Sequence, residues 1–256
     1  DMSNTINWGK IQGLSYSPET NLTGTAAAPS FTNTKSIALD GVDDFVDVGR
    51  VTSLESTSNF SLSVWVKPTD ISKGFICGRY VAGTFIYLII NSAGNLSFSV
   101  TSGATAQITT TSAVSLNTWI NVCAVFNGSL SASDRLKIYI NGVLQSVTDL
   151  NPPPTNTGSA GVGNWSYGKV TGLSNSFAGG LDELAIYNYS LTISQAVLIY
   201  NLGNPKDLKN TTGLTEPLHW WRCGDGDTSP TLTDNGSGGN NGTMTNFTTF
   251  STDVPT

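Results

Sequence analysis

Four aspartates, Asp40, Asp43, Asp44 and Asp47, crowd into residues 40–47 of the chain. Carboxylates held this close repel one another unless they are hydrogen-bonded or share a cation. A hard cation such as calcium takes several oxygens from acidic loops. The stretch therefore reads as a calcium site, or as a turn whose aspartates bond backbone N–H groups. A second acidic pair, Asp182 and Glu183, lies in an alternating stretch. Neighbouring side chains in a strand point to opposite faces, so these two carboxyls are not expected to meet at one bond. The single histidine, His219, stands beside Trp220 and Trp221. Such a histidine is expected to be packed or hydrogen-bonded. No pattern of nucleophile and base stands out, and the chain is expected not to be an enzyme. Aromatic rings that could stack on a sugar are Tyr80, Tyr87, Trp165 and Tyr167, in loops or on outer strand faces; burial at a sandwich edge is the alternative.

Strands must position these residues. Asn59 to Val66 alternates, with Phe60, Leu62, Val64 and Val66 on one face and Ser61, Ser63 and Trp65 on the other, and Pro68 ends it. Further strands read from Gly74 to Arg79, Thr84 to Asn91, Asn95 to Thr101, Trp119 to Phe126 and Arg135 to Asn141. Ser92-Ala93-Gly94 is a short hairpin loop, and Asn141-Gly142 is a type I′ turn from which the chain returns along Val143 to Val147. Gly180 to Tyr187 alternates, and then the period changes. Leu191, Gln195, Leu198 and Leu202 recur as on one face of a short helix, which Ser190 or Thr192 can cap and Gly203 with Pro205 can end. The fold class is all-β: a two-sheet antiparallel sandwich with one short C-terminal helix. Leu62, Val64, Ile138, Ile140, Leu184 and Ile186 are expected in its core.

With 256 residues the chain is long enough for one large sandwich. Only 12% of residues are charged, about half the usual share. Ser, Thr, Asn and Gly take their place, giving the neutral, hydroxyl-rich surface common in extracellular and virion β-proteins. The net charge of -6, with no cluster of Lys and Arg, argues against nucleic acid. No apolar run has membrane-spanning length, so membrane insertion is not expected. No basic segment followed by an apolar core opens the chain, and a secretion signal is expected to be absent or already removed. Cys77, Cys123 and Cys223 form neither a disulfide framework nor a Cys-x-x-Cys zinc motif.

Gly180 to Thr192, G-L-D-E-L-A-I-Y-N-Y-S-L-T, resembles the closing strand of the laminin-G-like, concanavalin A-like jelly-roll family, G-x-[ILV]-D-E-[VL]-x-[IV]-Y-N-x-x-L-[ST]. Ser36 to Gly49, S-I-A-L-D-G-V-D-D-F-V-D-V-G, is similar to that family's opening motif. The resemblance covers Lys35 to Gly203 and implies an arm at 1–34, a jelly-roll domain at 35–203 and a tail at 204–256. It also implies that Asp182 lies close to the opening motif, so the calcium set becomes Asp40, Asp43, Asp44 and Asp182. Glycosidases of this superfamily carry Glu-x-Asp-x-x-Glu, and Glu19, Glu55, Glu183 and Glu216 do not form it. The family includes lectins, adhesion modules, virion parts and glycosidases, so the resemblance alone does not select a ligand.

Large apolar anchors mark both ends of the chain: Trp8 and Tyr16 in the arm, and Trp220, Trp221, Met244, Phe247 and Phe250 in the tail. Disordered tails are poor in such residues, so these ends are expected to be buried on something. The tail resembles the first strand of a further laminin-G-like module, and also the tails of jelly-roll structural proteins in phages of marine bacteria. Trp8, Tyr16, Trp220, Trp221, Phe247 and Phe250 are thus assembly candidates for a homo-oligomer, with packing on their own sandwich as the alternative. The expected function is a non-enzymatic binding or assembly module at a virion surface or another extracellular surface. Its partners would be other virion or surface proteins, or glycans. The alternatives are a cellular adhesion or carbohydrate-binding domain and a divergent polysaccharide hydrolase or lyase.

Overall fold

A β-strand has two edges, and the longest closing strand of this protein uses one of them twice. The computed structural model describes residues 31–72, 74–81, 83–103, 105–159, 163–170 and 175–256; the arm anchors Trp8 and Tyr16 lie outside them. The opening motif forms β1 (Ile37–Asp40) and β2 (Phe45–Asp47). There follow β3 (Asn59–Pro68), β4 (Phe75–Val81), β5 (Thr84–Ile90), β6 (Asn95–Ser102), β7 (Gln107–Ala113) and β8 (Ile120–Asn127). Next are β9 (Leu136–Ile140), β10 (Val143–Leu144), β11 (Val147–Leu150), β12 (Ser166–Tyr167) and β13 (Ala178–Tyr187). A helix, α1 (Ile193–Tyr200), precedes three tail strands, β14 (His219–Trp221), β15 (Thr231–Leu232) and β16 (Gly242–Thr245).

The strands form two antiparallel sheets. One runs β1-β13-β3-β8-β9-β10, with β14 also on β13; the other runs β11-β7-β6-β5-β4-β12-β2-β16-β15. Residues 178–181 of β13 pair with β1 and residues 184–186 with β14, while β3 occupies the other edge. The register slips between Asp182 and Ala185, where the edge partner changes. Glu183 there takes φ 49°, a left-handed conformation that a β-bulge imposes. Residues 204–256 add strands to both sheets of this sandwich, the alternative under which the tail packs on its own chain.

Alternation places the core as read from the sequence. Phe60, Leu62, Val64, Val66, Ile138, Leu184 and Ile186 are buried between the sheets, whereas Ile140 is only partly buried, at the last residue of β9 before the turn. Asn141 and Gly142 take φ 51° and 76°, the left-handed pair that a type I′ turn requires, and join β9 to β10. The return strand is short, because the chain leaves at Gln145 and crosses to pair β11 with β7 in the other sheet. Thr192 caps α1 by accepting from the Gln195 N–H, and the Gln195 side chain reaches back to Thr192. The buried face of α1 is Ala196 and Ile199 rather than the expected row ending at Leu202. Asn201 and Leu202 have turned left-handed by then, and Leu202 is 88% exposed. Trp65, on the outer face of β3, is covered by Tyr200 of this segment at 6.0 Å between rings.

Ile186 is fully buried on the strand that joins β3 to the tail. Its replacement by Ala is expected to cost about 2–5 kcal/mol in urea unfolding; a midpoint that does not move would show that β13 does not anchor the core.

Candidate functional site

The acidic turn joins the two sheets at its ends: β1 belongs to the first and β2 to the second. Asp40, Asp43 and Asp44 have carboxylate oxygens within 4.8 Å of one another. Asp40 Oδ1 accepts the Val42 N–H at 2.7 Å, and Asp44 Oδ2 accepts the Asp40 N–H at 3.1 Å. That Val42 bond, against burial, holds the Asp40 carboxyl below its ordinary value. These three carboxylates could supply part of a calcium shell, which carbonyl and water oxygens would complete, and the turn already uses some of their oxygens. The expected fourth ligand, Asp182, is elsewhere. It lies four residues along β13 from Ala178, the partner of Asp40, and it is fully buried.

Asp182 and Glu183 do share one side of their strand, contrary to simple alternation. Leu181 and Leu184 both enter the core, so the bulge turns the two residues between them outward together. Trp220 Nε1 and Arg222 Nε donate to the Glu183 carboxylate, the latter at 3.3 Å. Arg222 also reaches Asp225 at 3.5 Å and stands over the Trp220 ring at 5.6 Å. Asn33 donates to Asp182 at 2.9 Å, and the Thr34 hydroxyl donates to Asp225 at 2.6 Å. Burial raises the Asp182 carboxyl well above its ordinary value, and the charge of Glu183 adds to the rise. Burial lifts Glu183 from 4.5 to about 7, although Arg222 and Trp220 oppose it.

His219 is held as a packed residue. Its Nδ1 lies 2.7 Å from Asp234 Oδ2, its ring stacks on Trp221 at 5.5 Å, and a Cβ on Gly238 would collide with the imidazole. Trp221 is fully buried in the core between the sheets, and Trp220, on the opposite face of β14, is nearly fully buried against Glu183 and Arg222. They therefore have no surface to offer a neighbouring subunit. Phe247 and Phe250 are partly buried against the same core. The three cysteines are buried free thiols.

The four sugar-stacking candidates divide. Trp165 and Tyr167 are core residues, with Tyr167 edge-on to Trp165 and to Trp221. The reason is the place of β12, a two-residue strand slotted between β2 and β4. Ser166 faces out beside Gly78 and Asp47, so its neighbours on either side must face in. Tyr80 and Tyr87 do reach the outer face of the nine-stranded sheet. There they join Phe85, which the sequence reading left out. Phe85 stacks on Tyr87 at 5.1 Å with the rings 8° apart, and Tyr80 stacks on Phe85 at 5.6 Å. The Tyr87 hydroxyl donates to Gln107 at 3.1 Å, fixing that ring. These rings line a cavity of 390 Å³ with Phe75, Ile89, Thr105 and Asn175. The available signal was β5 itself: Phe85, Tyr87 and Ile89 are as apolar as the inward Ile86, Leu88 and Ile90. An antiparallel sheet facing water ordinarily has a polar outer row.

Two antiparallel sheets with this connectivity define a concanavalin A-like sandwich, here with an aromatic strip on one outer face. The chain belongs to the concanavalin A-like lectin/glucanase superfamily, whose Laminin_G_3 family profile matches residues 40–196. No curated protein sequence matches the chain. Among solved structures it is similar to a candidate carbohydrate-binding protein of Bacteroides ovatus, at TM-score 0.63 and 18% identity. The match covers 88% of this chain but 62% of that one, under two thirds of its length. Domain 4 of the extracellular arabinanase AbnA from Geobacillus stearothermophilus, solved with arabinotriose, gives TM-score 0.52 and 23% identity over 64% of this chain and 76% of that one. The CBM40 module of the Ruminococcus gnavus IT-sialidase, solved with α2,3-sialyllactose, gives 0.52 and 15% over 67% and 99%. At these identities the likeness is one of fold.

The acid pair generates a pH prediction. Between about pH 4.5 and 7 the folded chain keeps a Glu183 proton that the unfolded chain has lost. The folded state then binds more protons, so stability falls as pH rises through this window. The contribution is complete below the lower value and gone above the upper one. Thermal melts from pH 4.5 to 8 should show the wild type losing stability more steeply than Glu183→Gln. Parallel curves would mean that Glu183 titrates as it does in water.

Proposed function

We propose that this protein is a non-catalytic glycan-binding module acting at an outer surface. The observation that carries the reading is the stacked strip of Tyr80, Phe85 and Tyr87 on a sheet face that no strand or helix covers among the described residues. Aromatic faces match the C–H faces of sugars, and a few polar groups around them set orientation. Tyr80 is 36% exposed and stacks in line with the other two rings, so the strip presents aromatic surface to solvent. The carbohydrate modules among its structural relatives support the same reading.

The groups best suited to catalysis do not reach this face. Asp182 and Glu183 are buried under Trp220 and Arg222 on the opposite sheet, and His219 is covered by Gly238. Calcium is not required by the reading. An extracellular location agrees with the low charge, and among the described residues no helix is long and apolar enough to cross a membrane. A virion setting rests on composition and on the sequence resemblance of the tail, and a homo-oligomer on the apolar anchors at the two ends of the chain.

Tyr87→Ala and Tyr80→Ala are expected to weaken binding to immobilised polysaccharides at least about tenfold, some 1.4 kcal/mol each. The melting temperature should barely move, since both rings lie outside the core. Unchanged binding in both variants would remove the strip from the site.

A further inference from the structure

The aromatic cavity does not stand alone. Tyr80 also lines a neighbouring cavity of 420 Å³ with Phe45, Asp47, Asn164, Ser166 and Lys169. Asp47 and Asn164 in turn line a third, of 410 Å³, with Asn241, Thr243 and Thr245. The shared residues make one trough, and the strand order gives its direction: from β5 over β4, β12 and β2 to β16. It crosses the strands rather than following them. Four inter-strand steps make it about 19 Å long, and a linear glycan advances roughly one such step, about 5 Å, per sugar unit.

The chemistry changes along the trough. The β5 end is aromatic. The β16 end offers a carboxylate, carboxamides and threonine hydroxyls. Among the described residues lining the three cavities, the charged ones are Asp47 and Lys169, one of each sign. Both are already engaged. Asp47 accepts Asn164 Nδ2 at 3.0 and 3.2 Å and the Gly49 N–H at 2.8 Å. Lys169 Nζ donates to the Val42 carbonyl at 3.2 Å. An acidic polysaccharide would need uncommitted Arg or Lys to replace its lost hydration, and a chain of net charge -6 would repel it.

Resting on the glycan-binding reading above, we infer that the ligand is a neutral, linear glycan of about four units. It lies across the strands, stacked at Phe85 and Tyr87 and hydrogen-bonded at Asn164 and Thr243. A single terminal sugar would use only one end.

The test is calorimetry with neutral cello-, xylo-, manno- and arabino-oligosaccharides of two to six units, and with oligogalacturonides as the acidic series. The expected result is that affinity for one neutral series rises with length and levels off near four units. Asn164→Ala, and independently Thr243→Ala, should weaken the tetrasaccharide about tenfold and leave the disaccharide unchanged. Tyr87→Ala should weaken both. The inference is overturned if the disaccharide binds as tightly as the tetrasaccharide, if the Asn164 and Thr243 variants leave the tetrasaccharide unaffected, or if the acidic series binds better. Each of those outcomes leaves glycan binding itself standing. Binding by none of the series overturns the glycan reading and this inference with it.

Discussion

The shared edge of β13 is the constraint on which the rest of the structure depends. One half of that edge is taken by β1 and the other by β14, strands separated by most of the chain. Their meeting point is the bulge at Asp182 and Glu183, and the segments flanking both partners converge on it. Asn33 bonds one carboxyl, Trp220 and Arg222 bond the other, and Thr34 bonds Asp225 beside them. Three carboxyls and a guanidinium in a buried place would be costly if every acid were ionised. The raised pKa values of Asp182 and Glu183 relieve that cost by keeping protons on the site, so the junction is held largely by hydrogen bonds.

The tail follows from the same junction. Once β14 is seated, Trp221 lies in the core against Tyr167, and the chain continues across to the second sheet. There β16 pairs with β2, so the tail that closes the edge of one sheet extends the other. Asp234 organises the passage between them. It accepts the backbone N–H groups of Trp220, Gly236 and Asn240 and holds His219. Residues 204–256 are therefore a structural part of the sandwich, and its aromatics are used internally.

The two outer faces consequently differ. The seven-stranded sheet is covered in part by α1 and by the tail, which bury Trp65 and the acid pair. The nine-stranded sheet keeps its apolar row on β5 without a covering element among the described residues, and the three cavities lie there. This asymmetry leaves the apolar row of one sheet open among the described residues and commits much of the other face to holding the fold together.

The strands themselves were determined by the sequence, because alternation over Asn59–Val66 and the Asn141-Gly142 turn act locally. The family motifs at Ser36–Gly49 and Gly180–Thr192 carried the jelly roll for the same reason. What was not local could not be read. A bulge is one extra residue seen only against a partner strand, so alternation wrongly separated Asp182 from Glu183. Trp165 and Tyr167 looked like Tyr80 and Tyr87 in sequence; only the insertion of β12 between β2 and β4 turned the first pair inward. Trp220 and Trp221 announced burial by their type, but whether they met their own sandwich depended on β13 having a free half-edge. Tertiary structure made these decisions because each depends on which strand occupies which edge, and that is settled by pairing across long stretches of chain.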